Sequence, residues 1–127
     1  MAINPATYDM TVQRRADHSI DLIFKQNNGN PINLTGFTVA SQVWDEKRII
    51  KYADFTVAYT DRAAGKISIS LTDTQTSTFK PEILKYDVAL TNPSGLKEYY
   101  LEGNIFVSEG YTAWHQYTLL LQKILLK

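Results

Sequence analysis

The chain has 127 residues, the length of one domain with one core, and at 44% hydrophobic and 20% charged it is too apolar for a disordered protein. Its 13 Lys and Arg against 13 Asp and Glu leave no net basic surface of the kind that phosphate binding needs, which argues against a nucleic-acid partner. The absence of cysteine excludes disulfides, thiolate metal sites and cysteine catalysis, and no apolar run approaches the ~20 residues that span a bilayer as a helix.

The first residues, Met1 to Pro5, show neither a basic nor an apolar leader segment, so no secretion signal is read and the chain is expected to be soluble and unexported. Most of the sequence from Tyr8 to Ser108 alternates with period two, the signature of half-buried strands. Tyr8, Met10 and Val12 share one face of a first, weak strand. The doublet Arg14-Arg15 comes next with Asp17 beside it, and Lys47-Arg48 later has Glu46, so both read as solvated loop charges. Ile20, Leu22 and Phe24 form the inward face of a second strand. Asn27 to Pro31 supplies turn residues, and Phe37 to Trp44 is a further weak strand. Phe55, Val57 and Tyr59 repeat the alternation, and Asp61 to Gly65 is expected to join an antiparallel pair. The cleanest run is Lys66 to Leu71, with Ile67, Ile69 and Leu71 inward.

Thr72 and Gln75 then have the spacing of a capping box, and Pro81 stops whatever helix begins there. A helix of one or two turns from Asp73 to Phe79 is expected to carry the chain between sheets, with Phe79 plugging one end of the core. Tyr86, Val88 and Leu90 alternate again. Asn92 to Gly95 reads as a hairpin turn into the longest strand, Lys97 to Ser108, with Tyr99, Leu101, Ile105 and Val107 on one side and Tyr100 and Phe106 on the other. About seven strands with turns every 8–12 residues or so predict an all-β, immunoglobulin-like antiparallel β-sandwich over residues 1–110. Its core is expected to hold Ile20, Leu22, Phe24, Ile67, Ile69, Leu71, Tyr86, Val88, Leu90 and Leu101.

Residues 111–127 break the pattern. On a helical wheel Trp114, Tyr117, Leu120, Leu121, Ile124 and Leu125 fall in one arc, and Leu119 with Leu126 makes a second stripe on its flank. This predicts an amphipathic helix with more apolar surface than one contact needs, for docking or oligomerisation, a trimer being the first guess.

Chemistry is sparse. The two histidines, His18 in a loop before a strand and His115 in the tail, have no ligand spacing between them, so no metal and no cofactor is expected. There is no nucleophile elbow and no Gly-rich phosphate loop. Asp54, Asp61 and Asp73 lack the calcium-loop spacing, and turn or cap roles account for the last two. Asn33-Leu34-Thr35 matches a glycosylation sequon by chance. No catalytic residues are assigned and no enzymatic activity is expected. The remaining signal is aromatic: eight Tyr, five Phe and two Trp. Tyr100 and Phe106 are open to three readings: a doubly packed strand, an apolar patch that docks a partner, or a carbohydrate platform.

Several motifs in fixed order carry a resemblance. They are Thr11-Val12-Gln13-Arg14, Pro31 to Phe37, Ala64-Gly65-Lys66-Ile67, Leu71-Thr72 through Gln75-Thr76, Tyr86-Asp87-Val88, and Leu101-Glu102-Gly103 to Val107-Ser108. Across residues 8–110 or so the chain resembles the N-terminal domain of phage baseplate upper proteins. Gly36 suits a positive φ at strand entry, and Gly103 suits a bulge or a close neighbouring backbone. Family members usually carry Gly directly after the arginine of the first motif; here Arg15 stands there, followed by Ala16-Asp17. The tail beyond Thr112 lies outside the family pattern.

The resemblance implies a non-enzymatic virion structural protein, assembled in the bacterial cytoplasm, with other virion proteins as partners and a place in the tail or baseplate. The alternatives are a receptor- or glycan-binding module on the particle, or a capsid decoration protein. Fold alone does not separate them.

Overall fold

Period-two alternation becomes strand at nearly every place it occurs in the computed structural model, which describes residues 5–110. In chain order the strands are β1 (Ala6–Thr7), β2 (Met10–Gln13), β3 (His18–Ile23), β4 (Thr38–Trp44), β5 (Lys51–Asp54), β6 (Thr56–Asp61), β7 (Lys66–Leu71), β8 (Ile83–Thr91) and β9 (Lys97–Ser108). One six-stranded sheet runs β1-β9-β8-β4-β5, with β2 also paired to β9; a three-stranded sheet runs β3-β7-β6. The expected helix over 111–127 lies outside the described residues.

The two sheets face each other across one core. Val12, Val43, Leu84, Val88, Leu90 and Ile105 from the large sheet meet Ile67, Ile69 and Leu71 from the small one, all of them buried. Of the expected core, Phe24, Tyr86 and Leu101 are buried as well, whereas Ile20 and Leu22 are only half-buried. They lie on β3, which among the described residues has a neighbouring strand on one side only.

The chain changes sheet four times, at β2–β3, β3–β4, β5–β6 and β7–β8, and two of these passages are anchored by a buried ring. The first is a corner at Phe55. It separates β6 on the small sheet, which holds Val57 and Tyr59 of the expected run, from β5 on the large one, which no expected strand covers, with the Phe55 ring buried at the bend and its N–H donating to the Ser41 carbonyl at 2.9 Å. The second is the helix α1 (Asp73–Thr76), a single turn, the shorter of the two lengths expected, ending at Thr76 and not at Phe79. Thr72 and Gln75 close the capping box in both directions, and Phe79 after the turn is fully buried, as expected of a plug.

The large sheet departs from the antiparallel expectation at one edge. β1 and β2 run parallel to β9, with Ala6 opposite Leu101 and Gln13 opposite Ser108; the remaining pairs are antiparallel. Gly103 lets the backbone between β1 and β2 come close to β9: a Cβ there would lie 2.0 Å from the Tyr8 carbonyl oxygen. Gly36 takes φ +81°, the left-handed backbone expected of it. His18 is the first residue of β3 rather than a loop residue, and burial lowers its pKa.

Candidate functional site

Alternation that buries one face of the large sheet presents the other to solvent, and that outer face carries the chemistry. On β4 the outward residues are Ala40, Gln42 and Trp44; on β8, Lys85, Asp87 and Ala89; on β9, Glu102, Asn104 and Phe106. Register lines them up in rows across the strands. Gln42 stands opposite Asp87, Asp87 opposite Glu102, and Glu102 opposite Thr7. One row along, Trp44 faces Lys85, and Lys85 faces Asn104, donating to its side-chain oxygen at 2.5 Å. On the other flank Ala40, Ala89 and Tyr99 are aligned.

Small and large side chains alternating between rows leave a groove of about 660 Å³. Its floor is low over Ala40 and Ala89, and its rim includes Trp44 and Tyr99. The Trp44 indole N–H is committed to the Gln42 side chain at 2.9 Å, and the Arg48 guanidinium lies 4.9 Å from the indole ring centre. Asp9 is committed to the Asn104 backbone N–H at 2.8 Å, and Asp45 to the turn amides of Ile49 and Ile50, which lower its pKa. Asp87 is half-buried, and its carboxyl is held above the usual range by loss of water first and by Glu102 second, with Arg48 pulling it back.

The pair proposed from sequence, Tyr100 and Phe106, does not share a face. Phe106 points outward, 41% exposed, beside Ile83 on the neighbouring strand. Tyr100 turns inward and meets the Phe24 ring edge-on, with centroids 5.7 Å apart. The cause is a break in register between β8 and β9: Val88 faces Leu101 but Ala89 faces Tyr99, so Tyr100 is an extra residue in a bulge. The same bulge sends Tyr99 outward, 55% exposed, where strict alternation places it inside. A second irregularity, between β4 and β5, likewise leaves Tyr52 free to pack edge-on against Phe79.

Trp114, Tyr117, Leu119, Leu120, Leu121, Ile124, Leu125 and Leu126, the other proposed interface residues, lie outside the described residues, as does His115. Trp44, Asp87, Tyr99 and Glu102 are not among the site residues that the sequence marks. The alternation of β4 and β8 already places Trp44 and Asp87 outward; Tyr99 needs the bulge. Among the described residues no group of three His, Asp or Glu side chains is placed to hold a metal ion, and no helix is long and apolar enough to cross a membrane.

One further site lies at the β2–β3 turn. Arg15 holds φ +64°, a left-handed backbone that costs a non-glycine residue roughly 1 kcal/mol or more. Its guanidinium bonds Glu109 and the Gly110 carbonyl, while Arg14 bonds Glu109 and donates to the carbonyls of Phe79 (2.5 Å) and Lys80 (2.7 Å). The turn is latched to α1 as well: Thr76 Oγ1 donates to the Ala16 carbonyl at 2.9 Å, and Asp17 accepts from the Asp73 N–H at 2.8 Å. Compared with protein-family models and with curated proteins, the chain matches none.

Proposed function

We propose that the chain is a non-enzymatic structural protein of a phage particle, built on an immunoglobulin-like sandwich and acting as an adaptor in the tail or baseplate. The observation that carries this is Arg15. The baseplate-upper-protein resemblance puts a glycine at that position, and the residue here takes a glycine's backbone, φ +64°, although it has a side chain. A departure in sequence that keeps the conformation is what a shared backbone produces.

Strand order supports the immunoglobulin-like part. A sheet β9-β8-β4-β5 facing a sheet β3-β7-β6 corresponds to G-F-C-C′ facing B-E-D in the variable type of that fold. Docking is supported by a closed core beneath an outer face that still exposes Tyr99, Phe106 and Ile83. The apolar arc at 112–127 serves association in this reading, with a homotrimer as the first state to look for.

Particles produced from the encoding genome test it. A tagged copy should copurify with intact particles at constant stoichiometry, and gold label should sit at the tail tip. Label on the head would make it a capsid decoration protein, and particles free of the protein would end the proposal.

A further inference from the structure

The outer-face groove holds a charge arrangement that Arg48, acting on Asp87, offsets only in part. Asp87 and Glu102 are direct cross-strand partners, and like charges placed so cost stability. The ion pairs formed among the described residues, Arg14 and Arg15 with Glu109 and Lys51 with Asp54, leave both carboxylates out. Lys85, one row away, gives its ammonium to Asn104 instead.

A guanidinium from the chain itself already marks the corner of this groove. Arg48, at the β4–β5 hairpin, holds φ +58° and lies over Trp44. Among the described residues the opposite end has no such tenant: Tyr99 is more than half exposed, with Ala89 and Ala40 beside it on the same row.

We propose that the groove receives a basic side chain, an arginine or lysine presented by a partner polypeptide, seated between Tyr99 and the Asp87–Glu102 pair. The seated cation neutralises the repulsion between the carboxylates and meets the Tyr99 ring face. A guanidinium bridges two carboxylates with paired donors, which favours arginine. A neutral sugar would dry the groove and leave two negative charges uncompensated. The inference stands apart from the virion reading, since it rests on the groove alone.

The test is an NMR titration of the full chain with three capped tripeptides, Gly-Arg-Gly, Gly-Lys-Gly and Gly-citrulline-Gly, and with a neutral oligosaccharide. The two basic peptides should shift the amides of Ala40, Gln42, Ala89 and Glu102, and raised salt should weaken the effect. Asp87→Asn and Glu102→Gln should each weaken binding by about tenfold or more while raising the melting temperature, so that lost binding cannot be lost folding. The proposal is overturned if the basic peptides shift nothing there up to roughly 20 mM. It also falls if citrulline matches arginine, or if the oligosaccharide alone binds.

Discussion

The Tyr86 hydroxyl donates to the Tyr8 carbonyl at 2.6 Å, joining residues 78 positions apart. Tyr86 is buried on β8, and Tyr8 lies between β1 and β2 where the chain runs alongside β9, so this one bond ties the parallel edge to the middle of the sheet. Tyr86→Phe should cost about 1–2 kcal/mol, read by urea denaturation. Burial, with Tyr8 and Asp9 nearby, pushes the Tyr86 pKa up from its ordinary value of 10.0. A raised folded-state pKa means stability that is whole below pH 10 or so and declines above it, as the unfolded chain ionises first. The wild-type protein should therefore lose stability in alkali more steeply than Tyr86→Phe.

Gly103→Ala should be among the most damaging single-methyl changes. The added carbon meets backbone, not a side chain that can swing away, so β1 or β9 must move. The expected cost is about 1–3 kcal/mol or more, with faster amide exchange at Tyr8, whose N–H bonds the Glu102 carbonyl. Unchanged exchange at Tyr8 would contradict this close packing of the Tyr8 backbone on Gly103.

Arg15 sets strain against contact. Arg15→Gly relieves the left-handed backbone but forfeits the bonds to Glu109 and Gly110. In a Glu109→Gln background the contact is already weakened, and Arg15→Gly should turn stabilising by roughly 0.5–1 kcal/mol; the double-mutant cycle measures the coupling. The hydrogen bonds from Arg15 and Arg14 lower the Glu109 pKa. A lowered folded-state pKa gives stability that is present above the unfolded value of 4.5 and fades as pH falls through the folded one. Wild type and Glu109→Gln should thus differ at pH 7 and converge in acid.

Deleting residues 112–127 should leave the sandwich folded. Every buried core residue in the described part lies between Met10 and Ile105. The truncated protein should keep its β-sheet circular dichroism and its melting transition while losing sedimentation mass. Retention of full-length mass would remove the tail from any oligomer contact.

Much of this fold can be read from alternation and punctuation. The runs Ile67-Ile69-Leu71 and Tyr86-Val88-Leu90 bury the faces expected of them; the Asn92–Gly95 turn and the Asp61–Gly65 connection join antiparallel neighbours; and the Thr72–Gln75 box caps α1. The features that escape such a reading have a common cause. Period two says which face a residue takes, not which partner its strand takes, so the parallel pairing of β2 with β9 leaves no trace. An inserted residue resets the period without changing composition, which is how Tyr99 and Tyr100 exchange faces. Phe55 fits an alternating run whether the strand continues or turns a corner. The groove suffers doubly, because its members sit on four strands brought together by register and one of them is inverted by the bulge.

The parallel edge also decides how the domain would carry load. Because β1 and β2 run alongside β9 in the same direction, residue 5 and residue 110 leave from opposite ends of the sheet. Tension applied between them pulls β2 and β9 past each other lengthwise, so the bonds between the strands resist together. An antiparallel terminal pair would instead open one bond at a time, like a zipper. A chain joined at both ends to neighbours that pull is thereby held by a shear clamp, with Gly103 and the Tyr86–Tyr8 bond at its centre.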